Sequence, residues 1–464
     1  MEIKQLLDGR EVSLAEVLEA RERRVTRQAE ALKYGTCLIS FTLNMPGPVK
    51  QFSLARAFFE YGLLRLERAL AQKRFSVKRK KEFFEAAGSE AFWTVDAPAL
   101  EVKRITTALE ESSPASRLYD MDVIDERGVK VERGQVGLPP RRCIVCGREV
   151  MECAPRRAHS AEELARTAVR LMYDDECCRF SDLVSAAAQK ALLYEVCVTP
   201  KPGLVDRFNN GSHNDMDVFT FVDSAVSLVP YFRQCVSLGI EHSERPLSKL
   251  FPILRLPGME AEERMYLATE GVNAHKGAIF SLGIFCAARG WLWGNGMASE
   301  PDALQQAVED MLECLPNELG SGTTTAGEKI FLSSGVTGVR GEAAAGYPHV
   351  FQTALPLFEK LLKKGKSVND AAAVVLLRLI CSLDDTNMIK RSSLDRFRQE
   401  QIRIKKMLDN ETSLTLDKIT ELDRWFIQNN LSPGGSADLL AVTLFLHFLK
   451  PYKTATPSWH AIAI

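Results

Sequence analysis

Two acidic side chains, Asp120 and Asp122, are separated by one residue inside an apolar run from Leu118 to Ile124. In a β-strand, residues i and i+2 point to the same face, so the two carboxylates would project together. Neighbouring carboxylates repel each other unless a cation lies between them, and such pairs bind Mg²⁺ that also contacts substrate phosphates. The pattern therefore predicts either a magnesium site or a solvated edge strand with two outward polar residues, and it favours neither.

A second group of metal-binding residue types follows further along the chain. Cys143, Cys146, Cys153 and His159 have the spacing Cys-x2-Cys-x6-Cys-x5-His. Three thiolates and one imidazole suit tetrahedral zinc, so this segment is a candidate structural zinc site. Two alternatives stay open. Arginines crowd the same segment and would suit phosphate binding, and buried free thiols beside a solvated basic surface would need no ligand.

In the second half of the chain, chemistry-bearing residues lie in polar loops between apolar segments. Asp384 and Asp385 directly follow such a segment, and burying adjacent carboxylates there is costly unless a cation neutralises them. We therefore predict a Mg²⁺ site for a polyphosphate, built with Asp215, Asp217, Lys201, Lys276 and Arg340. A glycine-rich stretch, Gly320–Gly327, is a further candidate for backbone contacts to phosphate. The alternative for each loop is turn and helix-cap chemistry.

The elements that would position these residues differ between the two halves. Residues 1–178 alternate helical and strand-like segments, which is typical of an α/β or α+β domain. Residues 179–464 show helical apolar spacing with little β alternation, so we predict a multidomain chain with a mainly α-helical C-terminal domain. The predicted elements are helices at Ser13–Lys33 and Phe52–Leu70, strands at Thr36–Leu43, Phe92–Val95 and Leu118–Ile124, and helices at Asp182–Val198, Val218–Val236, Ala274–Ala288, Val368–Leu383 and Ala437–Leu449.

Composition and charge exclude several classes of function. The 464-residue chain has 59 basic and 60 acidic residues, with a formal net charge of −1. We therefore expect no nucleic-acid or membrane partner, because no positive field would attract one and no apolar run reaches the ~20 residues of a membrane span. The chain opens without an apolar signal sequence, and its 11 cysteines form an odd number. These features predict a cytoplasmic protein with free thiols.

Six stretches of the second half form a specific pattern when they are taken together. They are Thr199–Asp206, Ser212–Asp217, Asn273–Gly277, Gly341–Ala343, Leu383–Asn387 and Ser432–Asp438. On these stretches the second half resembles triphosphoribosyl-dephospho-coenzyme A synthase, the enzyme that starts the prosthetic group of citrate lyase.

The first half resembles the partner enzyme, apo-citrate lyase phosphoribosyl-dephospho-coenzyme A transferase. The stretches that carry this resemblance are Arg117–Val123 and Arg142–His159. Within the second stretch, Val150 and Pro155 depart from that family, where Ala and Arg are usual. The resemblance implies a nucleotidyltransferase-like N-terminal domain, and the two halves together resemble the fused bifunctional form of this pathway.

The resemblance implies two successive reactions. In the second domain, the 2′-hydroxyl of 3′-dephospho-coenzyme A attacks the ribose C1 of ATP, which gives 2′-(5″-triphosphoribosyl)-3′-dephospho-coenzyme A and adenine. In the first domain, a serine of the acyl carrier (gamma) subunit of citrate lyase takes the phosphoribosyl-dephospho-coenzyme A group, and pyrophosphate leaves. Both steps handle a triphosphate, for which Mg²⁺ is the expected cation.

The resemblance also implies roles for residues. Asp206, His213 and Glu342 are unranked candidates for general acid–base work. Asp120 and Asp122 would hold Mg²⁺ in the first domain, and Asp215, Asp217, Asp384 and Asp385 would hold it in the second. The expected substrate and phosphate contacts are Lys201, Asn273, His275, Lys276, Arg340, Gly434 and Gly435, with Arg56 or Arg142 in the first domain.

Two other functions stay open on the residues alone. A Mg²⁺-dependent glycohydrolase would use water instead of dephospho-coenzyme A and would release adenine without it. A non-enzymatic adaptor would use the Cys143–His159 segment as a zinc-binding module.

Overall fold

The chain divides into two compact units between Cys178 and Arg179. The computed structural model describes residues 6–297, 300–315, 338–409 and 415–450. The division falls within one long helix, Ala161–Cys197. None of the described helices is long and apolar enough to cross a membrane.

The first unit is built on a small antiparallel sheet. Its four strands have the order β2-β3-β1-β4, and every neighbouring pair is antiparallel. Of the two predicted classes, the sheet is therefore that of an α+β domain. The elements are α1 (Leu14–Leu32), β1 (Cys37–Leu43), α2 (Ser53–Gln72), β2 (Ser76–Glu85), β3 (Gly88–Asp96), α3 (Ala99–Glu110), β4 (Tyr119–Asp125), α4 (Val150–Cys153) and the start of α5 (Ala161–Cys197).

One face of the sheet packs against α2 through aromatic side chains. Phe41 of β1 lies 4.6 Å from Phe59 and 5.2 Å from Tyr119 of β4, measured between ring centroids. Phe58 stacks on the Tyr119 ring at 4.7 Å. All four rings are buried, and offset or edge-on pairs of this kind stabilise a core beyond the area that they bury.

The opposite face carries polar residues and lies under α1. Glu90 of β3 is buried and accepts hydrogen bonds from Arg24 at 2.7 Å and from Arg27 at 3.1 Å, both on α1. Its cross-strand neighbour on β1 is Thr42, which pairs in turn with Asp120 of β4. This row of charged and hydroxyl groups lies on the same face as a small apolar cluster, in which Ala31 and Leu32 of α1 pack with Leu38, Phe92 and Ile124 of the sheet.

Helix α3 covers the outer edge of β4. Its buried Glu110 accepts the backbone N–H of Met121 at 2.8 Å, and its buried Lys103 donates to the Met121 carbonyl oxygen at 3.3 Å. Burial lowers the pKa of Lys103 and raises that of Glu110. Two side chains of one helix thus satisfy the backbone groups that an edge strand would otherwise leave unpaired.

In the second unit the described elements are helices. The sequence predicts one helix over Val218–Val236, but the structure has two, which meet at Leu228 because Pro230 enters the first turn of the second helix. After α5, the helices are α6 (Val218–Ser227), α7 (Val229–Glu241), α8 (Leu250–Ala268), α9 (Lys276–Gly294), α10 (Pro301–Met311), α11 (Gly338–Ala344), α12 (Leu355–Lys363), α13 (Val368–Ser382), α14 (Thr386–Arg391), α15 (Leu394–Asp409), α16 (Leu416–Gln428) and α17 (Gly434–Leu449), with a π-helical turn at His349–Ala354.

Helix α9 is buried along most of its length and packs closely on α7. A Cβ atom on Gly290 would lie 2.2 Å from the carbonyl oxygen of Val236, and one on Gly239 would lie 2.1 Å from that of Ala287. Only glycine permits this approach, because any larger residue would push the two backbones apart. The C-terminal half of α9 therefore packs backbone against backbone on α7.

Candidate active sites

The second unit contains a cavity of about 620 Å³. Its wall is formed by α5, the loop 201–216, the N-terminus of α9, and residues of α11, α14 and α17. The charged and imidazole groups that line it are Glu195, Lys201, His213, Asp215, His275, Lys276, Arg340, Lys390, Arg391 and Asp438. A cavity with several cations and a few buried acids suits a polyanionic substrate that must also exchange a proton.

A buried ion pair lies at this cavity. Lys201 Nζ is 2.6 Å from Glu195 Oε1, and these side chains are only 2% and 5% exposed. Burial raises the pKa of Glu195, and the positive charge of Lys201 opposes that rise. Because Lys201 already neutralises Glu195, most of the positive charge of Lys201 is compensated within the protein and is not offered to a ligand.

Asp438 reaches the cavity from α17 and sits against the N-terminus of α9. The backbone N–H of Ala278 donates to its carboxylate, and a Cβ atom on Gly277 would lie 2.0 Å from its Oδ2 atom. Burial, with the nearby charges of Glu195 and Asp385, raises its pKa well above the usual range of a carboxyl group. Asp438 is thus a carboxyl group at the cavity whose protonated form is favoured.

His275 precedes α9 and points one ring nitrogen at Ser224. Its Nδ1 atom is 2.7 Å from Ser224 Oγ, and its Nε2 atom is buried without a hydrogen-bond partner among the described residues. Burial lowers the pKa of His275 to about 3, and the charge of Lys201 adds to this effect. The ring is therefore neutral, and its unpartnered Nε2 is available to a ligand in the cavity.

His213 is held by two partners on the cavity wall. Arg391 donates to its Nδ1 atom at 3.2 Å, so the neutral ring carries its proton on Nε2 and donates to Ser432 Oγ at 2.9 Å. Burial and the charge of Arg391 lower the pKa of His213. This histidine is a neutral, positioned group. Asp215 also lines the cavity, but its side chain is 65% exposed.

Cationic residues on three elements line the same cavity. Lys276 begins α9, where Asn273 accepts its backbone N–H at 3.2 Å, and its Nζ atom is 2.7 Å from Glu262. Arg340 lies on α11 and Lys390 on α14. The predicted contact residues Asn273 and Lys276 therefore do lie at one cavity, together with Lys201, His275, Arg340 and Gly434.

Three residues predicted for acid–base catalysis or metal binding accept hydrogen bonds from backbone N–H groups and do not line the cavity. Asp206 accepts four hydrogen bonds, from the Thr199 hydroxyl and the backbone N–H groups of Lys201, Phe208 and Asn209. Asp217 caps the N-terminus of α6, which lowers its pKa. Glu342 is buried and binds the Nδ1 atom and backbone N–H of His349, at 2.7 and 2.8 Å.

Adjacent aspartates at the end of α13 have separate roles. Asp385 is buried and caps α14, and it also accepts the backbone N–H of Ser436 at 2.9 Å. Gly435 lies beside it, since a Cβ atom there would be 3.2 Å from Asp385 Oδ2. Asp384 is 44% exposed and pairs with Arg398 at 2.8 Å. The predicted burial of both carboxylates is therefore wrong for Asp384.

The four aspartates predicted to share one Mg²⁺ are not brought together. Of Asp215, Asp217, Asp384 and Asp385, only Asp215 lines the cavity. Across the described ranges, the single set of three or more metal-binding side chains within reach of one ion is a cysteine and histidine set in the first unit. The glycine-rich stretch Gly320–Gly327 lies outside the described residues.

In the first unit, β4 presents Asp120 and Asp122 on the polar face of the sheet. They pair across the strands with Thr42 and Ser40, so both carboxylates lie on the face that α1 partly covers. Each contacts one cation: Arg141 lies 3.1 Å from Asp120, and Lys130 lies 2.7 Å from Asp122. The face thus combines two acids and two bases within a short length of strand.

Arg141 also links this face to the covered edge of β4. Its guanidinium donates to Glu110 Oε1 at 2.6 Å, and Arg133 donates to Glu110 Oε2 at 3.1 Å. The other two predicted arginines lie on different elements. Arg56 on α2 pairs with Glu60 at 3.0 Å and covers the Phe84 ring. Arg142 forms an isolated backbone β-bridge with Glu149, and its carbonyl oxygen accepts a hydrogen bond from the Arg117 side chain.

The cysteine and histidine segment does converge. The donor atoms of Cys143, Cys146, Cys153 and His159 all lie within 4.8 Å of one another. His159 and then Arg148 lower the pKa of the Cys146 thiol to about 5, and the Cys146 sulfur raises the pKa of Cys153 to about 11. These four side chains form the group identified by their spacing in the sequence.

Several residues at the two sites were not among the predicted ones. Glu195 is the one acid in an apolar helical run, which is a signal for a buried partner, and Asp438 ends the stretch Ser432–Asp438 that carries part of the resemblance. Glu110, Arg141 and Arg391 give no comparable signal, because their importance depends on contacts with residues distant in sequence.

Comparison with known proteins accounts for both units. The family model ATP:dephospho-CoA triphosphoribosyl transferase (CitG) matches residues 181–456, and the model Apo-citrate lyase phosphoribosyl-dephospho-CoA transferase (CitX) matches residues 12–175. Among curated relatives, Protein CitXG of Leuconostoc mesenteroides subsp. cremoris is 33% identical over 94% of this chain and 97% of the relative. Protein CitXG of Haemophilus influenzae is 34% identical over 94% of this chain and 96% of the relative.

Another relative matches a little more than half of this chain. The 2-(5″-triphosphoribosyl)-3′-dephosphocoenzyme-A synthase of Pectobacterium atrosepticum is 42% identical over 55% of this chain and 86% of the relative. Two transferase families on one chain define a bifunctional transferase. The chain belongs to the fused family of the CitXG proteins, which confirms the resemblance of both halves, and it carries out the two-step synthesis of the citrate lyase prosthetic group.

Proposed function

We propose that the cavity of the second unit is where ATP and dephospho-coenzyme A react. The observation that supports this is the arrangement of charge: Lys276, Arg340, Lys390 and Arg391 come from separate elements to one cavity. Such a set of cations suits the triphosphate, which keeps its three phosphates through this reaction. His275 would offer the same ligand its Nε2 atom, which has no hydrogen-bond partner in the part of the chain that the structure describes.

Asp438 is proposed as the proton donor of the first reaction. The 2′-hydroxyl oxygen bonds to the ribose C1, and the bond from C1 to the adenine nitrogen breaks. Adenine leaves more readily when it takes the proton of Asp438, and the proton that the 2′-hydroxyl loses restores this acid. Asp438 suits that task because burial favours its protonated form. The Ala278 N–H and the start of α9 fix its carboxyl group in place.

Mg²⁺ fits this cavity only as an ion bound largely by its substrate. Asp215 is the one member of the predicted set at the cavity, and Mg²⁺ commonly uses one or two carboxylates with phosphate oxygens and water. We propose that Asp215 would hold it. The ion would supply positive charge to the triphosphate.

Substitution of Asp438 tests this assignment. In Asp438→Asn, we expect kcat for adenine release to fall by about 10²–10⁴-fold. Wild-type activity should fall as the pH rises through the pKa of Asp438, and this pH dependence should be absent from the variant. Asp384→Asn is the matched control, because Asp384 is an exposed partner of Arg398 away from the cavity, and it should stay within about two-fold of wild type. Equal losses in both variants would contradict the role of Asp438.

Dependence on the second substrate separates a transferase from a glycohydrolase. Adenine is measured chromatographically after incubation with ATP and Mg²⁺, with and without dephospho-coenzyme A. The proposed reaction releases adenine only when dephospho-coenzyme A is present. Release at the same rate in its absence would show that water is the acceptor.

In the first unit, we propose a nucleotidyltransferase-type reaction on the polar face of the sheet. A serine of the acyl carrier (gamma) subunit attacks the phosphate next to the new ribose, and pyrophosphate leaves. Asp120 and Asp122 share a face and would hold Mg²⁺, whose charge would assist the departing pyrophosphate. Arg141 and Lys130, which contact these carboxylates, would bind phosphate oxygens.

The free thiols of all the cysteines support a cytoplasmic location.

The mass of the carrier protein after reaction tests this second site. With pre-made triphosphoribosyl-dephospho-coenzyme A, Asp120→Asn and Asp122→Asn should lose transfer and keep adenine release. Asp96→Asn is the control, because Asp96 ends β3 and pairs with Lys78 at the surface. Normal transfer by both strand variants would refute this placement.

A further inference from the structure

We propose that the first unit binds one structural Zn²⁺ through Cys143, Cys146, Cys153 and His159. Three sulfur atoms and an imidazole nitrogen lie within 4.8 Å of one another, and the Cys146 and Cys153 sulfurs are 3.3 Å apart. In a tetrahedral zinc site with these ligands, neighbouring donor atoms are about 3.5–3.8 Å apart. The four side chains thus need only small adjustments to reach a common ion.

The backbone holds the first two ligands in a tight turn. The Cys143 N–H donates to the carbonyl oxygen of Arg148 at 2.6 Å, and the Gly147 N–H donates back to the Cys143 carbonyl oxygen at 3.0 Å. Gly147 has a φ of +73°, which glycine adopts without strain. This turn brings the thiols of Cys143 and Cys146 to one side, as a zinc knuckle requires.

A second interaction orients the histidine. Glu163 Oε2 lies 3.4 Å from His159 Nδ1, while His159 Nε2 is buried and has no hydrogen-bond partner among the described residues. Metal-bound histidines commonly donate their other ring nitrogen to a carboxylate in this way. A zinc ion supplies the partner that Nε2 lacks, so it explains a buried polar atom that would otherwise be costly.

A disulfide between Cys146 and Cys153 is the competing use of these thiols. It would involve two sulfurs that are already 3.3 Å apart. The disulfide would not account for the nearby Cys143 thiol or for the contact of Glu163 with His159, whereas a zinc ion would bind all four side chains. The geometry therefore favours the ion.

The proposed zinc also has a consequence for the transfer site, and this part rests on the proposed function of the first unit. Arg141 lies two residues before Cys143, and its guanidinium binds Glu110 at 2.6 Å and Asp120 at 3.1 Å. A fixed knuckle would hold the backbone of Arg141 in place. Zinc is then a positioning element for the arginine at Asp120, and it takes no part in the chemistry.

Metal analysis of the purified full-length chain tests the site directly. We expect about one zinc per chain after dialysis, lost in Cys146→Ser and in His159→Gln. Cys178→Ser is the matched control, because Cys178 is an exposed cysteine outside the group, and it should keep the zinc. Less than about a tenth of an equivalent in wild-type protein supplied with zinc, or a native Cys146–Cys153 disulfide by mass spectrometry, would overturn the proposal.

Cobalt substitution keeps the test decisive if a variant fails to fold. Wild-type protein loaded with Co²⁺ should show tetrahedral d–d bands and a thiolate-to-cobalt charge-transfer band, and the spectrum should be the same in Cys178→Ser. Chelation should expose three further reactive thiols. An octahedral spectrum without thiolate bands would overturn the assignment of ligands.

The positioning role has a separate readout. Removal of zinc should lower carrier transfer by about 10–100-fold and leave adenine release within about two-fold. Unchanged transfer in zinc-free protein would overturn the positioning role. Failure of the transfer site itself is distinguishable, because zinc content does not depend on Asp122 and Asp122→Asn should bind zinc normally.

Discussion

One methyl group added at Gly277 tests the placement of Asp438. In the structure, the Cβ atom of Gly277→Ala would lie 2.0 Å from Asp438 Oδ2 and 2.8 Å from its Cγ atom, although real Cβ contacts essentially never fall below 3.0 Å. The carboxyl group must therefore move by at least about 1 Å, away from the N–H of Ala278 and the start of α9.

The size of the effect follows from that displacement. A shift of about 1 Å in a reacting group costs about 10²-fold in rate, which corresponds to about 2.7 kcal/mol of activation free energy. We expect kcat for adenine release to fall by at least this factor in Gly277→Ala. The fold should survive, because alanine is favoured over glycine in a helix by about 1 kcal/mol and offsets part of the strain.

Adenine release under saturating substrates is the assay, with thermal unfolding as the check of folding. Gly258→Ala is the matched control on another helix, because its Cβ atom would lie 3.7 Å from the Tyr231 hydroxyl, an ordinary contact. It should keep wild-type activity. If Gly277→Ala retains kcat within about three-fold of wild type, the position of Asp438 at α9 does not matter to the reaction and the reasoning is refuted.

Two further predictions concern ion pairs of the second unit. Lys201→Met should lower the free energy of unfolding, measured by urea titration, by about 3–5 kcal/mol, because it leaves Glu195 buried without its cation. Adding Glu195→Gln to this variant should recover much of the loss. A loss below about 1 kcal/mol in Lys201→Met would contradict this pairing. His349→Ala should lower the melting temperature more at about pH 5.5 than at about pH 8.5. Glu342 raises the pKa of His349, so the stability that this pair contributes is present at low pH and is lost as the pH rises through that pKa. An equal or reversed difference would show that the pair is not charged.

Local structure followed closely from local sequence. The helix predicted at Ser13–Lys33 is confirmed and begins with a capping box, since the Ser13 side chain accepts the backbone N–H of Glu16 and the Glu16 side chain accepts that of Ser13. The period of two in β4 correctly places Asp120 and Asp122 on one face of the sheet. In both cases the decisive atoms are within three residues, where backbone geometry leaves few alternatives.

The sequence could not show which polar groups share a cavity. Asp384 and Asp385 are adjacent, yet one pairs with an exposed arginine and the other caps a helix, because the chain turns between them at the end of α13. Asp438 and Gly277 are far apart in the chain, and only the packing of α17 against α9 brings them together. Predictions that need such long-range contacts depend on tertiary structure, which residue spacing does not encode.

The sheet of the first unit protects its two edges by different physical means. At β4, Lys103 and Glu110 occupy the backbone groups of Met121 directly. At β2, the strand instead carries a run of cationic side chains, from Lys78 to Lys81. Repulsion between two such strands weakens as ionic strength rises, whereas the hydrogen bonds at β4 do not depend on it in this way. Concentrated salt would therefore unmask β2 first, and self-association of this unit through strand pairing should begin there.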